Sequence, residues 1–299
     1  MRLLDSLRPT LAIFTLLWTI PTTTAISLDI NSPASIKAAA KDVAKGIILW
    51  YTGGVKGQVV SQIPGLLPNL PGQDPYYWWE AGAMCGVLMD YWYYTGDSEY
   101  NDVVMDAMMF QVGPTADYMT PNVSKQEGND DQAFWGMAAM TAAEYMFPNP
   151  PSDQPQWLAL AQGVWNSQQL RWDNQYCGGG LRWQIFTFNL GYDYKNTPSN
   201  AGFMNLGTRL FAYTGNKTYA EWAEKTWDWM EGLAYIGGYK NYSVFDGGGI
   251  DSACKDINPT QWTYSAGMLL NACAVMWNAT GDQVWHDRAM GLWDASTVS

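Results

Sequence analysis

Two aspartates stand side by side in the segment Gly128-Asn-Asp-Asp-Gln-Ala-Phe-Trp-Gly136, where a polar stretch gives way to an apolar helical run. Consecutive residues of a helix point about 100° apart, so Asp130 and Asp131 can face one cleft only where the chain enters the helix, and that is where they fall. Two carboxyl groups on one cleft suit the cleavage of a glycosidic bond, one as nucleophile and the other as proton donor and acceptor. The two roles need environments that drive the proton affinities apart. Backbone donors and the helix dipole keep a carboxylate ionised, whereas aromatic surroundings push it toward the protonated form. On this basis Asp130 is assigned as nucleophile and Asp131 as acid/base, with the order left open. The same residues also read as a helix cap, with Asn129 or Asp130 accepting a backbone N–H and Asp131 favouring the positive end of the dipole.

Aromatic residues in loop-like sequence supply the second signal. Trp79 and Glu80 close the run Tyr76-Tyr-Trp-Trp-Glu80, Arg182, Trp183 and Gln184 follow the Gly178–Gly180 run, and Gln261, Trp262 and Tyr264 open a helical stretch. Rings stack on the apolar faces of pyranoses while neighbouring amides and charged groups bind hydroxyls. Asn129, Asn200 and Asp246 complete this candidate sugar-binding set. Trp165, Trp222, Trp227, Trp229 and Trp277 lie at mid-helix spacing and read as packing.

Other chemistries are poorly served. The single histidine, His286, leaves no basis for a Ser-His-Asp triad or a histidine-rich zinc site. The glycine runs at 178–180 and 247–249 lack the Gly-Lys-Ser/Thr of a phosphate loop. An Asp-Asp-x-x-Asp magnesium motif fails because its last position is Phe134. No metal-ligand spacing is visible, so no metal and no cofactor is expected.

The elements that must position these residues are helical. Apolar periodicity predicts helices over 36–52, 79–95, 98–112, 131–146, 156–170, 201–214, 217–233, 261–278 and 282–295, with few strands. A turn motif recurs as Tyr94-Thr-Gly-Asp, Tyr213-Thr-Gly-Asn and Ala279-Thr-Gly-Asp, a glycine ending one helix and an Asp or Asn capping the next. A fourth hairpin turns through Pro148, Pro150, Pro151 and Pro155. Repeated hairpins joined by long segments at 53–78, 171–200 and 234–260 describe an α/α toroid with one elaborated loop face.

The chain has 299 residues, 47% of them hydrophobic, and 16 Lys+Arg against 28 Asp+Glu give a net charge of −12. That balance speaks against a nucleic-acid partner. Residues 1–25 read as a secretory signal, and no later window is apolar enough to span a bilayer, so residues 26–299 are expected to form one barrel domain outside the cell. Sequons at Asn122, Asn216, Asn241 and Asn278 agree with secretion. Of four cysteines, Cys177 and Cys254 lie beside glycine runs and are expected to pair, while Cys85 and Cys273 read as buried thiols. The C-terminal residues carry no recognisable lipid-anchor signal.

Asn129–Trp135, Cys177-Gly-Gly-Gly-Leu-Arg-Trp-Gln184, Asn196-Thr-Pro-Ser-Asn-Ala-Gly202, Tyr213–Asn216 and Gln261–Tyr264 together resemble the fungal branch of glycoside hydrolase family 76. The resemblance covers nearly all of the chain from Ile30 onward. It implies an (α/α)6 barrel and retaining chemistry on α-1,6-mannosidic bonds, that is, a mannan endo-1,6-α-mannosidase with Asp130 and Asp131 as the catalytic pair. It also implies transfer of mannan-bearing anchor glycans to wall glucan during cell-wall biogenesis, at the cell wall or the outer face of the plasma membrane. Nine predicted helices where the barrel needs twelve make it incomplete at the C-terminus. A non-catalytic mannan-binding wall protein is therefore the alternative expectation.

Overall fold

The computed structural model describes residues 26–51, 63–68, 76–237 and 241–297. The expected leader at 1–25 and most of the 53–78 segment lie outside the described residues. Nine α-helices are present among the described residues: α1 (Pro33–Tyr51), α2 (Trp78–Thr95), α3 (Asn101–Phe110), α4 (Asn129–Glu144), α5 (Trp157–Leu170), α6 (Thr197–Thr214), α7 (Lys217–Gly232), α8 (Thr263–Thr280) and α9 (Gln283–Thr297). Helices α2, α4, α6 and α8 pack side by side as inner staves, each followed by its outer partner α3, α5, α7 or α9, and α1 lies against α2. The architecture is an α/α barrel built from hairpins.

The recurring Thr-Gly turn makes three of the four hairpins. Gly96, Gly215 and Gly281 each adopt a left-handed conformation (φ 79°, 72° and 71°), and each donates its N–H over 2.8 Å to the carbonyl four residues back. A side chain with a Cβ would disfavour that conformation, so glycine ends the helix. Asn216 then accepts the Thr218 N–H at 3.1 Å and caps α7. In the fourth hairpin the Trp157 indole N–H donates to the Pro148 carbonyl at 3.0 Å, tying the proline turn to α5.

Inner helices approach closely where small residues face each other. A Cβ on Gly202 of α6 would come within 2.6 Å of the Ala133 Cβ of α4, and one on Gly136 within 2.8 Å of Val164 and 3.0 Å of Leu206. Trp135 fills the space between α4 and α2, fully buried and stacked on Trp78 at 5.1 Å. This close seam fixes the relative height of the helix starts, and the start of α4 carries the aspartates.

Three departures from the sequence reading matter. Helix α6 begins at Thr197 rather than 201, because Asn196 caps it and Pro198 occupies its first turn. The Gly247–Gly249 run is a strand, β2, between β1 (Tyr194–Asn196) and β3 (Ile257–Asn258) in an antiparallel sheet. Only glycine fits there, since a Cβ on Gly247 would lie 2.3 Å from the Lys195 carbonyl. Trp277, read as core, is 45% exposed and meets the ring of His286 edge-on at 4.6 Å. Asn122, Asn216, Asn241 and Asn278 are all exposed, and no described helix is long and apolar enough to cross a membrane.

A disulfide joins Cys177 to Cys254 across 77 residues, while Cys85 and Cys273 are buried thiols. The bridge ties the loop before β1 to the loop after β2, the two walls beside the α6 start. Replacing both Cys177 and Cys254 with serine should lower the unfolding free energy by about 2–4 kcal/mol through a freer unfolded chain. Urea denaturation reads this directly, and an unchanged midpoint would contradict it.

Candidate active site

Gly128 is extended (φ −87°, ψ 165°) and opens α4. It bridges to Gln184, and the Asn129 N–H donates to the Trp183 carbonyl at 2.8 Å. The Asn129 side chain donates to the Arg182 carbonyl at 2.9 Å and accepts from Arg171 Nε at 2.8 Å. The loop carrying Trp183 is thus stitched to the first turn of α4. Within that turn the Gly128 N–H donates to Asp131 Oδ2 at 2.6 Å, and the Asp131 N–H donates to Asp130 Oδ1 at 2.9 Å. Asn196 does two jobs: its Oδ1 accepts the Ser199 N–H to cap α6, and its Nδ2 donates to Asp130 Oδ2 at 2.8 Å. The cap reading is therefore realised in both aspartates, Asp130 accepting the Asp131 N–H and Asp131 the Gly128 N–H, while Asn196 at the start of α6 grips Asp130 in addition.

Enclosure raises the proton affinity of both carboxyls. Asp130 is pushed well above the ordinary carboxylate range, first by burial and then by the adjacent Asp131 charge, against which its N–H donors act. Burial pushes Asp131 up to about 6, opposed by the Gly128 N–H. Like charges so close cannot both persist without cost, so the pair favours a state with one proton between the two carboxyls.

The pair opens on a cavity of about 270 Å³ lined by Tyr77, Trp79, Gln126, Phe134, Trp183, Gln184, Pro198 and Tyr264. Trp79, Phe134 and Tyr264 converge from the starts of α2, α4 and α8, with centroids 4.5 Å apart for Trp79–Phe134 and 6.2 Å for Trp79–Tyr264. Trp262, 45% exposed, stacks beside Tyr264 at 6.0 Å and extends the ring surface outward. Below Tyr264 a polar cavity of about 480 Å³ continues between α4, α6 and α8, where Arg209 pairs with Glu144 at 2.6 Å.

Of the candidate sugar-binding residues, Trp79, Trp183, Gln184 and Tyr264 line the cleft with the aspartates. Five others have structural work. Glu80 accepts the Tyr77 N–H at 2.6 Å and caps α2. Asn129 is only 2% exposed and holds the loop already described. Arg182 turns away to pair with Asp173 at 2.8 Å and lies over the Tyr192 ring. Asn200 is fully buried, accepting the Leu181 N–H at 2.8 Å and donating to the Leu181 and Asn196 carbonyls. Asp246 accepts from Tyr194 Oη at 2.8 Å and from the Trp262 indole N–H at 2.9 Å, so it orients a ring. Gln261 is exposed and outside the cavity lining. Sequence reasoning left Tyr77, Gln126, Phe134, Pro198 and Asn196 out of the candidate set. The spacing of four between Asp130 and Phe134 was a usable signal, because such residues share a helix face. Among the described residues no group of three or more His, Cys, Asp or Glu side chains could hold a metal.

The profile of glycosyl hydrolase family 76 matches residues 35–299. The chain is 47% identical over 276 residues to mannan endo-1,6-alpha-mannosidase DCW1 of Saccharomyces cerevisiae, covering 92% of this chain and 60% of that protein. The chain thus spans about three-fifths of the length of that relative. The crystal structure of Dfg5 from Chaetomium thermophilum in complex with glucosamine superposes with a TM-score of 0.83 at 50% identity, covering 90% of this chain and 65% of the other. An inactive variant of an α-1,6-mannanase of a Salegentibacter species, in complex with α-1,6-mannotetrose, matches in fold at 19% identity, with a TM-score of 0.68 and coverage of 87% and 70%. The shared fold is the (α/α)6 barrel, to which the described residues contribute α1 and four hairpins.

A Cβ added to Gly128 would lie 2.2 Å from Asp130 Oδ1 and 3.0 Å from Asp131 Oδ2. Its backbone conformation suits alanine, so Gly128→Ala strains the carboxyls rather than the chain. The expected result is a loss of at least 100-fold in any Asp130/Asp131-dependent turnover, with a melting temperature within a few degrees of wild type. Turnover near wild type would show that the two carboxyls do not act from these positions.

Proposed function

The chain belongs to glycosyl hydrolase family 76, and from that premise we propose that it is a retaining glycosidase or transglycosidase of α-1,6-mannosidic linkages. It acts outside the cell on fungal wall mannan or mannose-containing anchor glycans, with wall glucan as an acceptor. The observation that carries the reading is the aspartate pair at the α4 start, gripped by separate donors and facing a ring-lined cleft.

In the first half-reaction the Asp130 carboxylate attacks the anomeric carbon while Asp131 gives its proton to the departing glycosidic oxygen. In the second, Asp131 takes a proton from water or an acceptor hydroxyl, which displaces Asp130. Two N–H donors converge on Asp130 and one on Asp131, so the donors favour a charge on Asp130 and act against the burial that most raises its proton affinity. Once Asp131 is protonated, the charge that opposes ionisation of Asp130 is gone, and the donors remain. The distances from the Gly128 Cβ position put Asp130 Oδ1 and Asp131 Oδ2 no further apart than the roughly 5 Å typical of retaining pairs. Trp79, Phe134, Trp183 and Tyr264 offer faces for pyranose rings, and Gln126 and Gln184 offer amides to hydroxyls.

Incubation with α-1,6-mannooligosaccharides, with and without a β-glucan acceptor, followed by mass spectrometry tests the reading. Shortened or transferred oligosaccharides are expected, falling by about 10³-fold or more in Asp130→Ala and in Asp131→Ala. Because one carboxyl must be ionised while the other keeps its proton, turnover should be bell-shaped in pH, failing below about 6 where the enclosed pair takes up its second proton and falling again at higher pH as its last proton is lost. Binding without turnover in the wild-type protein would overturn the enzyme reading in favour of a mannan-binding wall protein.

A further inference from the structure

Glu127 stands directly before Gly128 and is 2% exposed, and neither of its carboxyl oxygens has a hydrogen-bond partner. The groups that face it come from three elements: Asp131 in the first turn of α4, Arg171 after α5 and Asp117 in the loop after α3. None of them supplies a donor. The Arg171 guanidinium gives its hydrogen bonds to Asn129 Oδ1 and Gln132 Oε1 in the first two turns of α4. Asp117 accepts from Thr115 Oγ1 and the Met119 N–H, and Asp131 accepts the Gly128 N–H. An enclosed carboxylate with no donor and two carboxyl neighbours is costly, whereas an uncharged acid is tolerated. Burial and the Asp131 charge push Glu127 up to about 9.

We propose that Glu127 is a positioning residue of the aspartate pair, an uncharged acid packed beneath it that fixes the Glu127–Gly128 peptide whose N–H grips Asp131. It acts through Asp131 and touches no substrate, and its role in turnover rests on the acid/base reading of Asp131. As an uncharged group it also spares the pair a further negative charge. When Glu127 is removed and water enters, Asp131 loses part of its enclosure, the larger influence on its proton affinity, which falls although the loosened Gly128 N–H acts the other way.

Two measurements test this, one of them without substrate. A folded-state proton affinity raised from 4.5 to about 9 means that the native state binds a proton the unfolded chain has released. The associated stability is complete below about pH 4.5 and is lost as the pH rises toward 9. Glu127→Gln lacks this loss, so its melting temperature should gain on wild type by several degrees between pH 5 and pH 8. A gap that is constant or moves the other way would overturn the uncharged acid. In turnover of α-1,6-mannooligosaccharides, Glu127→Gln should stay within about threefold of wild type with its pH profile unmoved. Glu127→Ala should lose tenfold or more, and its alkaline limb should shift to lower pH by half a unit or more. A glutamine variant as impaired as the alanine variant, or an alanine variant with the wild-type pH profile, would overturn the positioning role. If the alanine variant does not fold, the glutamine variant alone decides through both readouts. A wild-type protein without turnover would sink the parent reading, and the thermal comparison would then decide the uncharged acid by itself.

Discussion

Two neighbouring residues can present their carboxyls to one cleft only while the chain is still turning into a helix, and residues 128–131 are held in that turn from several sides. The Trp183 carbonyl receives the Asn129 N–H, the Gly128 N–H takes Asp131, and the Asn196 amide takes Asp130 from the neighbouring inner helix. Each bond depends on a different element being at the right height. The close α4–α6 contact at Gly202 and Ala133 sets the height of Asn196 against Asp130. The disulfide and the β1–β2 pairing set the walls around the loop that carries Trp183.

Beneath the cleft, polar groups are buried at a cost that the structure meets with dense pairing. Lys195 is fully enclosed and donates to the carbonyls of Asp173, Tyr176 and Gly179, with Asp173 Oδ2 at 3.4 Å. Burial lowers its proton affinity to about 8, so the surrounding carbonyls and Asp173 are what keep a charged ammonium there at neutral pH. That ammonium folds the loop from Asp173 to Gly180 around a single point, and Arg182 closes it from the other side through Asp173. Arg171 plays the matching part behind α4. Against this pattern of satisfied charge, the orphaned Glu127 stands out.

Much of this was legible in the sequence. The Thr-Gly-Asp/Asn turns mark hairpins by local chemistry alone, and helix positions followed to within a few residues. The Asp-Asp pair was visible because adjacent carboxyls can share a cleft at a helix start, although the same pattern also serves as a cap. The second function of Asn196 was not legible, since a cap residue that also reaches a neighbouring helix requires knowing which helices touch. The same holds for Asn200, Arg182 and Glu80: polar residues beside aromatic loops look like sugar ligands until their partners are seen to be backbone groups and Asp173. The Gly247–Gly249 strand was hidden because glycine carries no strand propensity, and its reason is a close approach to β1.

The central claim is that Asp130 is the nucleophile and Asp131 its proton partner. It is tested most directly by trapping the covalent intermediate with a fluorinated mannosyl donor that enters the first half-reaction and stalls in the second. Mass spectrometry of the digested protein should then find one mannosyl adduct on Asp130. An adduct on Asp131 would reverse the roles, and an adduct on any other residue would contradict the account of the site.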